Sequence, residues 1–189
     1  MRVHLGWLWL LAAPAAFGGV PAGDRGQPDD IHLSVELDKS EQSGHASASI
    51  RIHASAGVVW SMISECREAL VIVPGLVGCE VLQTAPDHSW QLIRHVVDYS
   101  WFVRKLTYEL RASYDEPFTA SFTRVSGDLK SLNFSWRLAR DGDYTMASYA
   151  IELSPGFWVP HWLVQGALRR DLPRMLRALR TRAESAAQR

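Results

Sequence analysis

The chain has only two cysteines among its 189 residues, Cys66 and Cys79. They form no CxxC, which excludes a redox motif of that kind. The seven histidines include no HxH and no HExxH, so no metal site is expected. GxSxG is absent and no cysteine–histidine pair has recognisable context, so no nucleophile is singled out. Outside the first residues, where Gly18 and Gly19 sit, there is no glycine-rich phosphate loop, and nothing implies a cofactor. Net charge is absent too, with 20 Lys+Arg against 20 Asp+Glu. A nucleic-acid binder usually shows a basic excess or stripe, so nucleic acid is not an expected partner.

What is present begins with a leader. Arg2 supplies a basic start, residues 5–17 are apolar and broken by Pro14, and small residues follow. A spanning helix needs roughly 20 apolar residues, which this run does not reach. Residues 1–22 therefore read as a signal peptide, with cleavage near Ala13-Pro14-Ala15 or Val20-Pro21-Ala22. An uncleaved anchor is the alternative. Either way the folded part is expected outside the cytoplasm, in the periplasm. Residues 23–30 are Gly, Pro and charge and read as a linker, leaving one domain over 31–187. In an oxidising compartment Cys66 and Cys79 could pair. Nothing in the sequence brings their Cα atoms within bonding distance, and two buried thiols are expected.

Most of that domain alternates. Ile31, Leu33, Val35 and Leu37 interleave with polar residues, and so do Ile50 and Ile52; the two segments are expected to pair as a hairpin. Ser55 is a candidate N-cap for a helix over 56–64, and a second helical piece ends at Pro74-Gly75. Residues 90–99 alternate imperfectly, which predicts a bulge or a strand covered on both faces. Leu132, Phe134, Trp136 and Leu138 alternate with Ser131, Asn133, Ser135 and Arg137. Such a period of two predicts a sheet with one wet and one buried face. The one long helical pattern that follows, 159–187, carries Leu168, Leu172, Met175, Leu176, Leu179 and Ala183 on one stripe. Pro173 inside it predicts a kink, or a junction of two helices. The class is α+β: a curved antiparallel sheet of about seven strands wrapped on a long C-terminal helix, with two short helices near the start.

This order resembles the helix-grip fold of the START / Bet v 1-like (SRPBCC) superfamily. More narrowly it resembles the polyketide cyclase / coenzyme Q-binding START-like family. The likeness is carried by Ile52-His53-Ala54-Ser55-Ala56-Gly57-Val58-Val59-Trp60, by Val73-Pro74-Gly75 with Cys79-Glu80-Val81, by Gly127-Asp128 through Leu138, and by Val159-Pro160 with 176–184. It implies a cavity for a hydrophobic small molecule such as a lipid, isoprenoid quinone or polyketide. The leader departs from cytoplasmic and mitochondrial relatives.

The candidate ligand-binding residues are the aromatics expected to point inward: Trp60, Tyr108, Phe118, Phe122, Phe134, Trp136, Tyr149 and Trp162. A filled core is the alternative use of the same side chains. A cyclase or dehydratase would instead need a pocket acid or base, such as Asp98, Glu109 or His95. Glu109 lies on the polar face of its strand, and His95 and Asp98 are spaced for opposite faces. The arginines of the last helix read as a solvated face, with a membrane surface as a possible partner.

Overall fold

A computed structural model describes residues 31–38, 43–99 and 104–189. The expected signal peptide (1–22) and linker (23–30) lie outside the described residues, as does Phe102. The order is β1 (His32–Asp38), β2 (Ser43–Ile52), α1 (Ala56–Ser64), α2 (Cys66–Ile72), β3 (Leu76–Thr84), β4 (Trp90–Val97), β5 (Leu106–Asp115), β6 (Thr119–Gly127), β7 (Ser131–Asp141), β8 (Tyr144–Ser154) and α3 (His161–Ala187). The eight strands form one sheet in the order β1-β2-β8-β7-β6-β5-β4-β3. Every neighbouring pair is antiparallel. The expected β1–β2 hairpin is present, with His32 opposite Ser49.

Alternation does what the pattern demands. In β2 the side chains of Ala46, Ala48, Ile50 and Ile52 are buried while Ser47 and Arg51 are exposed. β4 alternates strictly, with Ile93, His95 and Val97 inward. The irregularity predicted within 90–99 belongs instead to its partner. β3 slips register between Leu76 and Gly78 and again between Val81 and Gln83. The outward Val96 lies over Gly78, where an added Cβ would come within 3.1 Å of it. An apolar residue on the outer face had disguised a regular strand as a bulged one.

Ser55 caps α1 by accepting a hydrogen bond from the Val58 N–H at 3.4 Å, and α1 buries Val59 and Trp60. The chain then bends at Glu65, whose backbone is extended, and starts α2. α2 stops at Pro74-Gly75, with Gly75 at φ +77°, a region glycine enters without strain. That turn brings β3 back beside α2. Cys66 and Cys79 thereby come to a Cα–Cα distance of 5.3 Å and form a disulfide. This corrects the expectation of two free thiols: the proximity arises from the turn and the β3 bulges, neither of which the spacing of the cysteines reveals.

α3 runs unbroken through Pro173, so the two-helix alternative does not hold. All six residues of its predicted stripe are buried. Leu176, Leu179 and Ala183 are fully enclosed, each large aliphatic among them contributing about 1.5–3 kcal/mol by leaving water. The arginines of α3 are not all solvated. Arg182 donates to the buried Glu68 of α2 (Nε to Oε2, 2.7 Å), and Arg170 binds its neighbour Asp171. The far end is pinned by Glu184, which accepts the His53 N–H at 3.0 Å. No helix among the described residues is long and apolar enough to cross a membrane.

Candidate functional site

The C-terminal half of α3 plugs solid core, and its N-terminal half borders a hollow. This cavity of about 270 Å³ lies between the inner sheet face, α2, the end of α1 and the first four turns of α3. A water molecule takes about 30 Å³ of liquid and a methylene similar space, so the hollow has on the order of ten such positions. Leu168, Leu172 and Met175 form its helical wall; Ile93, Val97 and Leu132 are part of its sheet wall. A broader depression on the outer sheet face is open and lined by Ser34, Ser47, Ser121 and Ser135, with no enclosure.

Five of the eight predicted aromatics line the cavity: Tyr108, Phe122, Phe134, Trp136 and Tyr149. Register explains their convergence. Phe122 pairs with Phe134 and Trp136 with Tyr149 across the central strands. The Phe122 and Phe134 rings stack at 4.4 Å and 11°, and Trp136 meets Tyr149 at 4.7 Å.

The other three are corrections. Trp60 is buried, but it packs edge-on against Tyr114 at 5.7 Å, outside the cavity wall. Phe118 precedes β6, in the turn closed by its own N–H to the Asp115 carbonyl, and is 46% exposed. It keeps the inward parity of its strand but sits past the strand's end, where nothing covers it. Trp162 is 69% exposed and outside the cavity wall, one position from the wall residue Leu163.

The wall also holds polar groups. Of the three acid–base candidates only His95 belongs to it. Asp98 follows the end of β4, with Oδ2 3.3 Å from Lys105 Nζ. Glu109 lies on the outer face, where Ser126 Oγ (2.9 Å) and Arg94 (3.1 Å) donate to it and hold its carboxyl below the usual range. Burial pushes His95 down to about 4, so it is uncharged at neutral pH. Its ring meets Tyr108, its cross-strand partner, at 5.7 Å. Burial raises the hydroxyls of Tyr108 and Tyr149 well above the ordinary tyrosine range.

Two wall residues escaped the sequence reading. Tyr99 places its hydroxyl 3.2 Å from Asp171 Oδ2 and 3.3 Å from the Pro74 carbonyl. Asp171 in turn accepts from Arg170 Nε at 2.7 Å and Nη2 at 3.0 Å. Burial, and the Asp171 charge next, raise the Tyr99 hydroxyl. A signal existed for Asp171. It falls three residues after Leu168 and four before Met175, a lone acid on an otherwise apolar stripe. No lysine or arginine lines the cavity among the described residues.

Solved structures share this architecture. A STAR-related lipid transfer protein from Xanthomonas axonopodis matches with a TM-score of 0.69 and 18% identity, over 81% of this chain and 93% of that one. A START superfamily protein from Mycobacterium smegmatis matches with a TM-score of 0.66 and 19% identity, over 75% and 98%. The Zhui aromatase/cyclase from Streptomyces matches with a TM-score of 0.59 and 17% identity, over 78% and 94%. At such identities these similarities establish the fold alone. No curated protein matches the sequence. The profile of a family described as polyketide cyclase / dehydrase and lipid transport matches residues 52–180, from the end of β2 through most of α3. The chain belongs to that polyketide cyclase / dehydrase and lipid transport family.

Proposed function

We propose that this protein binds and carries an apolar small molecule in the cavity beneath α3, outside the cytoplasm. The observation that carries the reading is the hollow itself: a ring-lined, partly open space of about 270 Å³ in a domain whose other half is solidly packed. A guest gains about 25 cal/mol for each Å² of apolar surface it removes from water, before association costs. The Cys66–Cys79 disulfide supports export, since such bonds persist in oxidising compartments. Exposed Trp158 and Trp162 flank the wall residues Phe157, Val159 and Leu163, which supports loading at a membrane surface.

A cyclase or dehydratase reading has one observation in its favour, His95 in the wall. A base held near 4 is weak at neutral pH, and no cation lines the cavity to stabilise an enolate. Native mass spectrometry after gentle purification tests the choice. A co-purified apolar molecule is the expected result. Apo protein that turns over an aromatic polyketide, or that fails to bind any apolar dye, would sink the carrier reading.

A further inference from the structure

The charges of the whole chain balance at 20 and 20, yet α3 alone carries six arginines against two acids. Their placement is one-sided. From residue 162 to residue 181 the exposed positions of the helix are Trp162, Gly166, Arg169, Arg170, Arg174, Arg177 and Thr181, with no acid among them. Trp162, Gly166, Arg170 and Arg174 follow at intervals of four and Arg177 three later, a spacing that stacks side chains along one ridge. The buried stripe of Leu168, Leu172, Met175 and Leu179 occupies the remaining side.

Other contacts already hold the two acids of the helix. Asp171 is buried and accepts from Arg170, and Glu184 accepts the His53 N–H. Arg182 is bound to buried Glu68. Among the described residues, Arg169, Arg174 and Arg177 have no carboxylate partner. Like charges three or four apart weaken a helix slightly, so the isolated fold gains nothing from this arrangement. At its N-terminal end the basic ridge meets Trp162 and, just before the helix, Trp158, which is 77% exposed. From Trp162 to Arg177 the face runs roughly 22 Å along the axis.

A partner for this face must offer spread-out negative charge and, at one end, a medium that takes up indole rings. A nucleic acid offers the first without calling for the second. A bilayer with anionic headgroups offers both: tryptophan settles at headgroup level, and guanidinium groups grip phosphates with paired hydrogen bonds. We propose that the outer face of α3 docks on an anionic phospholipid bilayer, with Arg169, Arg174 and Arg177 on lipid phosphates and Trp158 and Trp162 seated among the headgroups. This rests on the membrane-loading part of the proposed function and adds to it the lipid charge and the surface that meets it. The tryptophan end is also the cavity end, since Leu163 and Phe157 line the wall.

The full chain and its variants are titrated with phosphatidylcholine vesicles, and with vesicles of about three parts phosphatidylcholine to one of phosphatidylglycerol. The unaltered protein should bind the anionic vesicles at least about tenfold tighter, and added salt should erase the difference. Arg174→Gln with Arg177→Gln should lose about twentyfold on the anionic vesicles and little on the neutral ones. Arg174→Lys with Arg177→Lys should keep most of the affinity, because the charge is kept. Arg137→Gln with Arg140→Gln, exposed on the outer face of β7, removes the same charge elsewhere and should change binding less than about twofold. Melting curves establish that each pair is folded. Equal affinity for the two vesicles overturns the docking surface and leaves the loading reading standing. Equal losses from the α3 pair and the β7 pair also overturn it, since net charge then suffices. So does a DNA duplex that binds as tightly as the anionic vesicles and loses that affinity in the α3 pair. Failure to bind either vesicle is a different result: it removes membrane loading, and this inference with it.

Discussion

Met175 and Leu179 stand one turn apart on the buried stripe of α3, 5% and 0% exposed, and look equivalent in the sequence. Met175 borders the hollow and Leu179 does not. Replacing each with tryptophan therefore asks whether the hollow exists. At Leu179 the indole has no room, and overpacking of a filled core costs about 1–3 kcal/mol. A domain of this size shifts its Tm by about 2–4 °C per kcal/mol, so a fall of roughly 3–10 °C is expected. At Met175 the ring can enter a space of about 270 Å³, where it regains the contacts it displaces. The stability change should stay within about 1.5 kcal/mol, as for swaps that a site can absorb. The same ring then occupies much of a hollow with on the order of ten methylene-sized positions. Affinity for an apolar dye should drop at least tenfold, about 1.4 kcal/mol. Circular dichroism melts and a fluorescence titration read the two quantities separately. If Met175→Trp melts as low as Leu179→Trp, or binds dye like the parent, the interior is not hollow and the reasoning fails.

Acid should weaken the fold through His95. Its folded pKa of about 4 lies below the ordinary 6.5, so the unfolded chain takes the proton first and stability is lost as pH falls through that window. At about 1.4 kcal/mol per unit the loss reaches about 3 kcal/mol, and His95→Gln should remove it; parallel urea curves for the two proteins at about pH 7 and about pH 4.5 would contradict this. The Cys66–Cys79 bond closes a short loop, with a sequence separation of 13, and reduction should cost about 2–3 kcal/mol in denaturant unfolding. An unchanged midpoint with reductant present would show that α2 and β3 need no tether. Trp158→Ser with Trp162→Ser should abolish most co-sedimentation with phospholipid vesicles while leaving the melt within about 1 kcal/mol, since both side chains are mostly exposed. Undiminished sedimentation would rule out this rim as the membrane contact.

The sheet, its hairpin and the closing helix were legible because each rests on a repeat of hydrophobicity, and burial follows that repeat residue by residue. The Ser55 cap was legible for the same reason: local chemistry decides it. What was illegible depended on distant partners. The disulfide required knowing that β3 folds back on α2. His95 stood among three acid–base candidates, and its place in the wall depended on which face of β4 the helices cover. Phe118 has the right parity and the wrong position, past the end of the strand its period belongs to. Trp162 lies in the first turn of α3, one position off the face that carries the wall residues Leu163 and Leu168. Parity and period place a side chain on a face; they do not say whether another element covers that stretch of the face.

The hollow itself shows why apolar inventories cannot separate a filled core from a cavity. Hydrophobic collapse favours closing such a space, and α3 carries enough aliphatic side chains to do it. Across the cavity, however, stands a polar strut. Tyr99, just beyond β4, donates to Asp171 on α3, and Arg170 donates to both oxygens of that carboxylate. A buried hydrogen bond of this kind tolerates little change in length. It therefore ties the end of β4 to the helix where packing is open. Four residues later along the helix the polar strut is gone, and from Leu176 onward the interior is solid. The space for a guest is thus kept by the few polar residues in its wall, and the apolar majority supplies only its lining.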